Sequence, residues 1–121
     1  MTRDNVVLEK SKLFAIRVVN LYKYLCEEKK EYVLSKQLLG SGTGIGANLS
    51  EAVCGISRND FLAKVYIAFK ESHETIFWLE LLKDTKYISE KEFDSIYQDS
   101  IGLVKLLSKI TKTTKSGKVN N

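Results

Sequence analysis

The chain has 121 residues, a formal net charge of +4, 44% hydrophobic and 28% charged residues, and no proline. That length is one domain with room for a real core. The short apolar runs exclude a membrane span, and the N-terminus MTRDNVV lacks the apolar core of a signal peptide, so a cytoplasmic protein is the expectation.

Absent proline and long apolar-periodic segments predict an all-α chain. The first helix is predicted from about Val6 to Lys30, with Val7, Phe14, Val18, Leu21 and Leu25 as its core stripe. Arg3, Lys10 and Arg17 recur at seven-residue steps on another stripe. The plain reading of that row is a solvated face; the sharper one is half of a nucleic-acid surface. Glu27 to Glu31 mark a polar turn.

The next segment, Gln37 to Ala52, carries Gly40, Gly42, Gly44 and Gly46. Gly42 to Ala47 fits G-x-G-x-x-A, the looser dinucleotide fingerprint. That motif has meaning only between a strand and a helix of a βαβ unit, and no second strand follows. A P-loop fails because Ala47 and Asn48 follow Gly46. The competing reading is a helix. Leu34, Leu38, Ile45, Leu49, Ala52 and Ile56 keep a helical period. Each interior glycine costs about 1 kcal/mol relative to alanine, so packing must offset it. The favoured expectation is a helix from Leu34 to Val53 or Ile56, with Gly42 and Gly46 as sites of close helix packing and Gly55 as a C-terminal glycine.

Ser57 and Asp60 resemble a capping box opening a third helix that runs to about Lys86. Phe61, Val65, Ala68, Ser72, Leu79 and Leu82 form its internal stripe. Leu62, Tyr66, Phe69, Ile76, Phe77 and Trp78 carry apolar surface well around the cylinder. That excess predicts a subunit interface, with Tyr66, Phe77 and Trp78 as its residues. Ser89 and Glu92 form a second capping box before a fourth helix reaching about Thr113, with Phe93, Ile96, Leu103, Leu107 and Ile110 inward. From Lys105 to Lys118 there are five lysines and no acid. Lys105, Lys109 and Lys112 share a face, and Lys115 and Lys118 sit on a basic tail (115–121) expected to be disordered beyond a bundle spanning 1–114. Short turns between four long helices give an up-down-up-down four-helix bundle, in which the first and fourth helices are neighbours whose basic stripes can merge.

Catalytic groups are scarce. Cys26 and Cys54 fall about 30 Å apart in a helical hairpin, too far for a disulfide, and both read as reduced core-type residues. His73 is the sole histidine, and Phe77 occupies the position a second zinc histidine would need. It reads as a packed or interfacial side chain. Glu51, Glu71, Glu74 and Glu80 lack the Glu-x-x-His partner of bundle di-metal sites and read as salt-bridge residues, such as Lys70 with Glu74. No metal, no cofactor and no enzymatic activity are expected.

Two blocks, Ser35 to Ala52 and Asp60-Phe61-Leu62 through Ala68 to Leu82, resemble the bacterial four-helix-bundle family encoded in intervening sequences of 23S ribosomal RNA genes, to which the accessory variability determinant of diversity-generating retroelements is related. The resemblance implies an up-down bundle assembling as a ring-like homopentamer, with no known enzymatic activity. For the retroelement relatives it implies a basic surface that binds nucleic acid and a reverse transcriptase. Gly40 stands where many relatives carry a basic residue, and Gly44 where serine is frequent. The resulting expectation is a homo-oligomeric adaptor binding RNA or an RNA–DNA hybrid through Arg3, Lys10, Arg17, Lys105, Lys109, Lys112 and Lys115. The alternative is a structural oligomer with a protein partner and no nucleic acid.

Overall fold

In a computed structural model, the backbone of residues 3–120 and the side chains of residues 4–112 are described. The tail expected at 115–121 and the side chains of Arg3 and Lys115 lie outside the described side chains. Four helices follow in order: α1 (Arg3–Glu27), α2 (Leu34–Ala52), α3 (Arg58–Asp84) and α4 (Glu90–Asn120). Each packs on its neighbours in sequence, and α1 also meets α4, while among the described residues no α-carbons of the diagonal pairs α1–α3 and α2–α4 come within 8 Å. This is the up-down-up-down bundle.

The apolar stripes meet on the axis. Val18, Leu25, Leu38, Ile45, Ala68, Leu79, Leu82 and Leu107 are wholly buried. Full burial of one such aliphatic side chain is worth about 1.5–3 kcal/mol, which makes this axis the main source of stability. The glycine segment is helical from end to end, so it forms no phosphate-cradling loop. Its glycines serve packing unequally. A Cβ on Gly42 would lie 2.7 Å from Val18 Cγ2, and one on Gly46 would lie 3.2 Å from Ser11 Oγ, so at both positions α1 sits against bare backbone. A Cβ on Gly40 would meet nothing within 4 Å. On the other flank of α2, Ser41 accepts a hydrogen bond from the Thr75 hydroxyl of α3 at 3.1 Å, with both residues buried.

The caps differ in kind. Ser89 and Glu92 form the full capping box: the Ser89 amide donates to Glu92 Oε1 at 2.8 Å and the Glu92 amide to Ser89 Oγ at 3.1 Å. Ser57 Oγ accepts from the Asp60 amide at 3.1 Å and starts α3. The start of α2 was not legible as a cap. The buried carboxylate of Glu31 accepts from the amides of Val33 (3.0 Å), Leu34 (2.8 Å) and Ser35 (2.7 Å), satisfying three of the orphan donors at the helix start.

Several expectations need correction. Helix α2 ends at Ala52, so Ile56 lies in the following turn, 96% exposed, and is not part of the core stripe. Gly55 does not close α2 in a left-handed conformation; none of the described glycines has positive φ. It is there for space, since a Cβ would lie 3.1 Å from the Ala52 carbonyl oxygen and 3.3 Å from Asp60 Cβ. The left-handed positions are lysines, Lys30 (φ 56°) and Lys86 (φ 71°). Around Lys86 the turn is a Schellman motif: the Tyr87 amide donates to the Leu82 carbonyl at 2.9 Å and the Lys86 amide to the Lys83 carbonyl at 3.0 Å. Cys26 and Cys54 are both free thiols, but Cys54 is exposed in the turn after α2 rather than in the core. Helix α4 continues past Thr113 to Asn120.

Candidate nucleic-acid interface

Helix α4 turns Phe93, Ile96, Leu103, Leu107 and Ile110 inward, and this fixes where its lysines point. Lys105, Lys109 and Lys112 stand on the opposite side and are exposed. They advance by four and then three residues, so they form one ridge about 10 Å long. None of the three makes an ion pair among the described residues, in contrast to Lys64, whose ammonium lies 2.7 Å from Glu51 on α2. The ridge therefore presents uncompensated positive charge to solvent.

The α1 row divides. Arg17 is turned onto α4, where Nη1 donates to Asp99 Oδ2 at 2.7 Å and to the Ser95 carbonyl at 3.1 Å, and Nη2 donates to Ser95 Oγ at 2.8 Å. Its guanidinium is engaged inside the subunit and its charge is met by Asp99. Lys10 is exposed. Because α1 and α4 run antiparallel, seven residues back along α1 matches seven on along α4. Lys10 therefore stands at the level of residues 102–106, level with the start of the lysine ridge. The structure brings Lys10 to the same end of the bundle as Lys105 and takes Arg17 out of the free charge. The clamp role of Arg17 was missed because the row was read by its own spacing; Ser95 and Asp99, one helical turn apart on α4, were the available signal.

Of the residues expected at an interface, Tyr66 (40%) and Phe77 (55%) are exposed on α3. Trp78 is half-buried, packs against the core, and donates its indole N–H to Glu74 at 3.3 Å. The rings of Phe77 and Trp78 meet edge to face at 4.9 Å. The expected Lys70–Glu74 pair is not among the ion pairs of the described residues; Glu74 accepts from Trp78 instead. His73 is exposed and edge-on to Phe69 at 4.8 Å. Glu71, beside Gly44, has its pKa raised, first by burial and then by the charge of Glu74, with Lys70 offsetting part of the effect. Among the described residues no group of three or more His, Cys, Asp and Glu is placed to hold a metal ion. Nor is any of their helices long and apolar enough to cross a membrane.

Two grooves flank α1. One, of about 480 Å³, lies against α4 and is lined by Arg17, Leu21, Tyr24, Lys91 and Ser95 among others. The other, of about 710 Å³, lies against α2 over Thr43, Gly46 and Ala47. Glu92 also lines the first, and Glu9 and Lys12 the second.

Fold and surface together define an all-α, up-down four-helix protein whose distinctive exterior is a lysine ridge and exposed apolar side chains. Residues 3–109 match the family model described as "23S rRNA-intervening sequence protein", and the chain belongs to that family. It is also similar to a crystal structure of a protein of unknown function from the S23 ribosomal protein family of Bacteroides thetaiotaomicron, with 54% identity, a TM-score of 0.90, and coverage of 92% of this chain and 99% of that one. No curated protein matches.

Proposed function

We propose that this protein is a non-enzymatic, cytoplasmic, homo-oligomeric adaptor that binds nucleic acid through the outer face of α4. The observation that carries the reading is the ridge of Lys105, Lys109 and Lys112, exposed and without an ion pair among the described residues, in a segment of five lysines and no acid from 105 to 118. Lysines of this kind engage phosphates and carry little sequence preference. A single ridge is a weak binder. Assembly multiplies it, and the family resemblance favours five copies in a ring. The same resemblance makes structured RNA or an RNA–DNA hybrid the favoured ligand and a reverse transcriptase the favoured protein partner.

The test is a titration of labelled RNA and duplex DNA at two salt concentrations. Wild type is compared with a variant carrying Lys105→Gln, Lys109→Gln, Lys112→Gln and Lys115→Gln. Wild-type affinity should fall steeply with salt, with a log–log slope of about −0.7 to −0.9 per phosphate neutralised, and the variant should show weaker binding and a shallower slope. No binding at about 50 mM salt, or binding unchanged in the variant, replaces this reading with a structural oligomer whose partner is a protein.

A further inference from the structure

Besides Tyr32, Val33, Val53 and Ile56 at the two ends of α2, two apolar patches on helix faces remain outside the bundle after folding. On α1 they are Leu13 (59% exposed) and Ile16 (50%); on α3 they are Tyr66 (40%), Ile67 (39%) and Phe77 (55%). Neither belongs to a core stripe. Because α1 and α3 are a diagonal pair of the bundle, their outward faces lie on opposite sides of it.

Each patch lies on a row with the same spacing. Glu9, Leu13, Ile16, Asn20 and Lys23 on α1 advance by four and three residues alternately, as do Ala63, Ile67, Lys70, Glu74, Phe77 and Leu81 on α3. That alternation gives a helix a continuous seam to lay against another helix. Leu13, Ile16, Ile67 and Phe77 are exposed within the subunit, while Glu9 and Asn20 at the flanks of the α1 seam line the grooves against α2 and α4.

The two seams differ in charge. Beside the α1 patch, Lys10, Lys12 and Lys23 outnumber Glu9; beside the α3 patch, Glu71, Glu74 and Glu80 outnumber Lys70 and Lys64, the latter already paired with Glu51. Glu71 and Glu74 have no ion-pair partner among the described residues, and Glu71 is left against burial and the charge of its neighbour. Pairing α1 with α1, or α3 with α3, brings like charge together. Pairing α1 with α3 matches an apolar patch to an apolar patch and a basic flank to an acidic one.

We propose that copies of this chain associate head to tail, the α1 face bearing Leu13 and Ile16 of one copy seating against the α3 face bearing Ile67 and Phe77 of the next. This rests on the reading that the chain assembles, and adds which surfaces meet and in what sense. Each copy carries one surface of each kind on opposite sides, so association continues past a dimer and closes as a ring if the rotation permits. It leaves the outer face of α4, with Lys105, Lys109 and Lys112, outside the contact and available to a ligand.

The test uses the full chain and two variants, Ile16→Glu and Phe77→Glu, with mass followed by analytical ultracentrifugation and fold by circular dichroism. Both positions are at least half exposed, so the fold should hold; Leu13→Glu and Ile67→Glu serve as a second pair. Wild type should be oligomeric and each variant alone monomeric. An equimolar mixture should form a one-to-one heterodimer and stop there. The intact α3 face of one variant meets the intact α1 face of the other, and the two remaining faces both carry the new acid. A variant that keeps the wild-type mass, or a mixture that stays monomeric while wild type is oligomeric, overturns the face pairing alone. A monomeric wild type at micromolar concentration overturns the pairing and the assembly reading together.

Discussion

Gly42 on α2 and Val18 on α1 approach so closely that a Cβ on the glycine would lie 2.7 and 2.8 Å from the two Val18 methyl carbons. Val18 is wholly buried and, being β-branched, has little rotamer freedom with which to yield. Two glycines in one helix therefore make opposite predictions. Gly42→Ala gains about 1 kcal/mol of helix propensity but meets an overpacking cost of about 1–3 kcal/mol, and it should lower the melting temperature. Gly40→Ala meets nothing within 4 Å and should stabilise by about 1 kcal/mol. Thermal melts of the two variants beside wild type decide the point; a stabilised Gly42→Ala would refute the close approach.

Glu31 should make stability depend on acid. Burial raises its pKa, but the amides of Leu34, Ser35 and Val33 and the Ser35 hydroxyl outweigh that, so the folded value lies below the ordinary glutamate range. A lowered carboxylate pKa means the unfolded chain binds the proton more readily. The stabilisation is present above the ordinary glutamate range and fades as pH falls through the folded value. Glu31→Ala should cost about 1–2 kcal/mol at neutral pH, the range of a lost helix cap, and the difference from wild type should shrink in acid. Urea melts at pH 7 and pH 3 measure both. A difference that stays constant with pH would show that the charge is not the source.

Lys86 occupies a left-handed position that costs a side-chain-bearing residue about 1–2 kcal/mol relative to glycine. Lys86→Gly keeps both backbone bonds of the Schellman motif. After the loss of unfolded-state restriction is counted, it should stabilise by about 1 kcal/mol. Lys30→Gly should act likewise at the end of α1. Chemical denaturation should show both midpoints rising at unchanged slope.

Arg17 separates structural charge from ligand-facing charge. Its pair with Asp99 is partly exposed, with side chains 40% and 52% accessible, so Arg17→Gln should cost only about 1 kcal/mol of stability. Nucleic-acid affinity and its salt slope should stay near wild type, whereas Lys109→Gln should reduce both. A loss of affinity in Arg17→Gln equal to that in Lys109→Gln would place Arg17 on the ligand surface after all.

Much of the bundle was legible because helical periodicity and caps are local. Val7, Phe14, Val18 and Leu25, or Phe93, Ile96, Leu103 and Leu107, can be read as stripes without knowing what they face. Ser89 and Glu92 close a capping box within one turn. The lysine ridge was legible for the same reason, since its spacing alone puts Lys105, Lys109 and Lys112 on one side of a helix.

What the chain's own pattern determined, then, was four helices, their inward faces and a basic stretch on the last of them, all consequences of residue spacing along one helix. Only the tertiary structure decided which glycine touches a neighbour, that Arg17 is bound to Ser95 and Asp99, and that Leu13 and Ile16 are left outside opposite Ile67 and Phe77. These depend on which face of one helix meets which face of another. Side-chain packing between distant segments sets that, and one-dimensional periodicity does not record it.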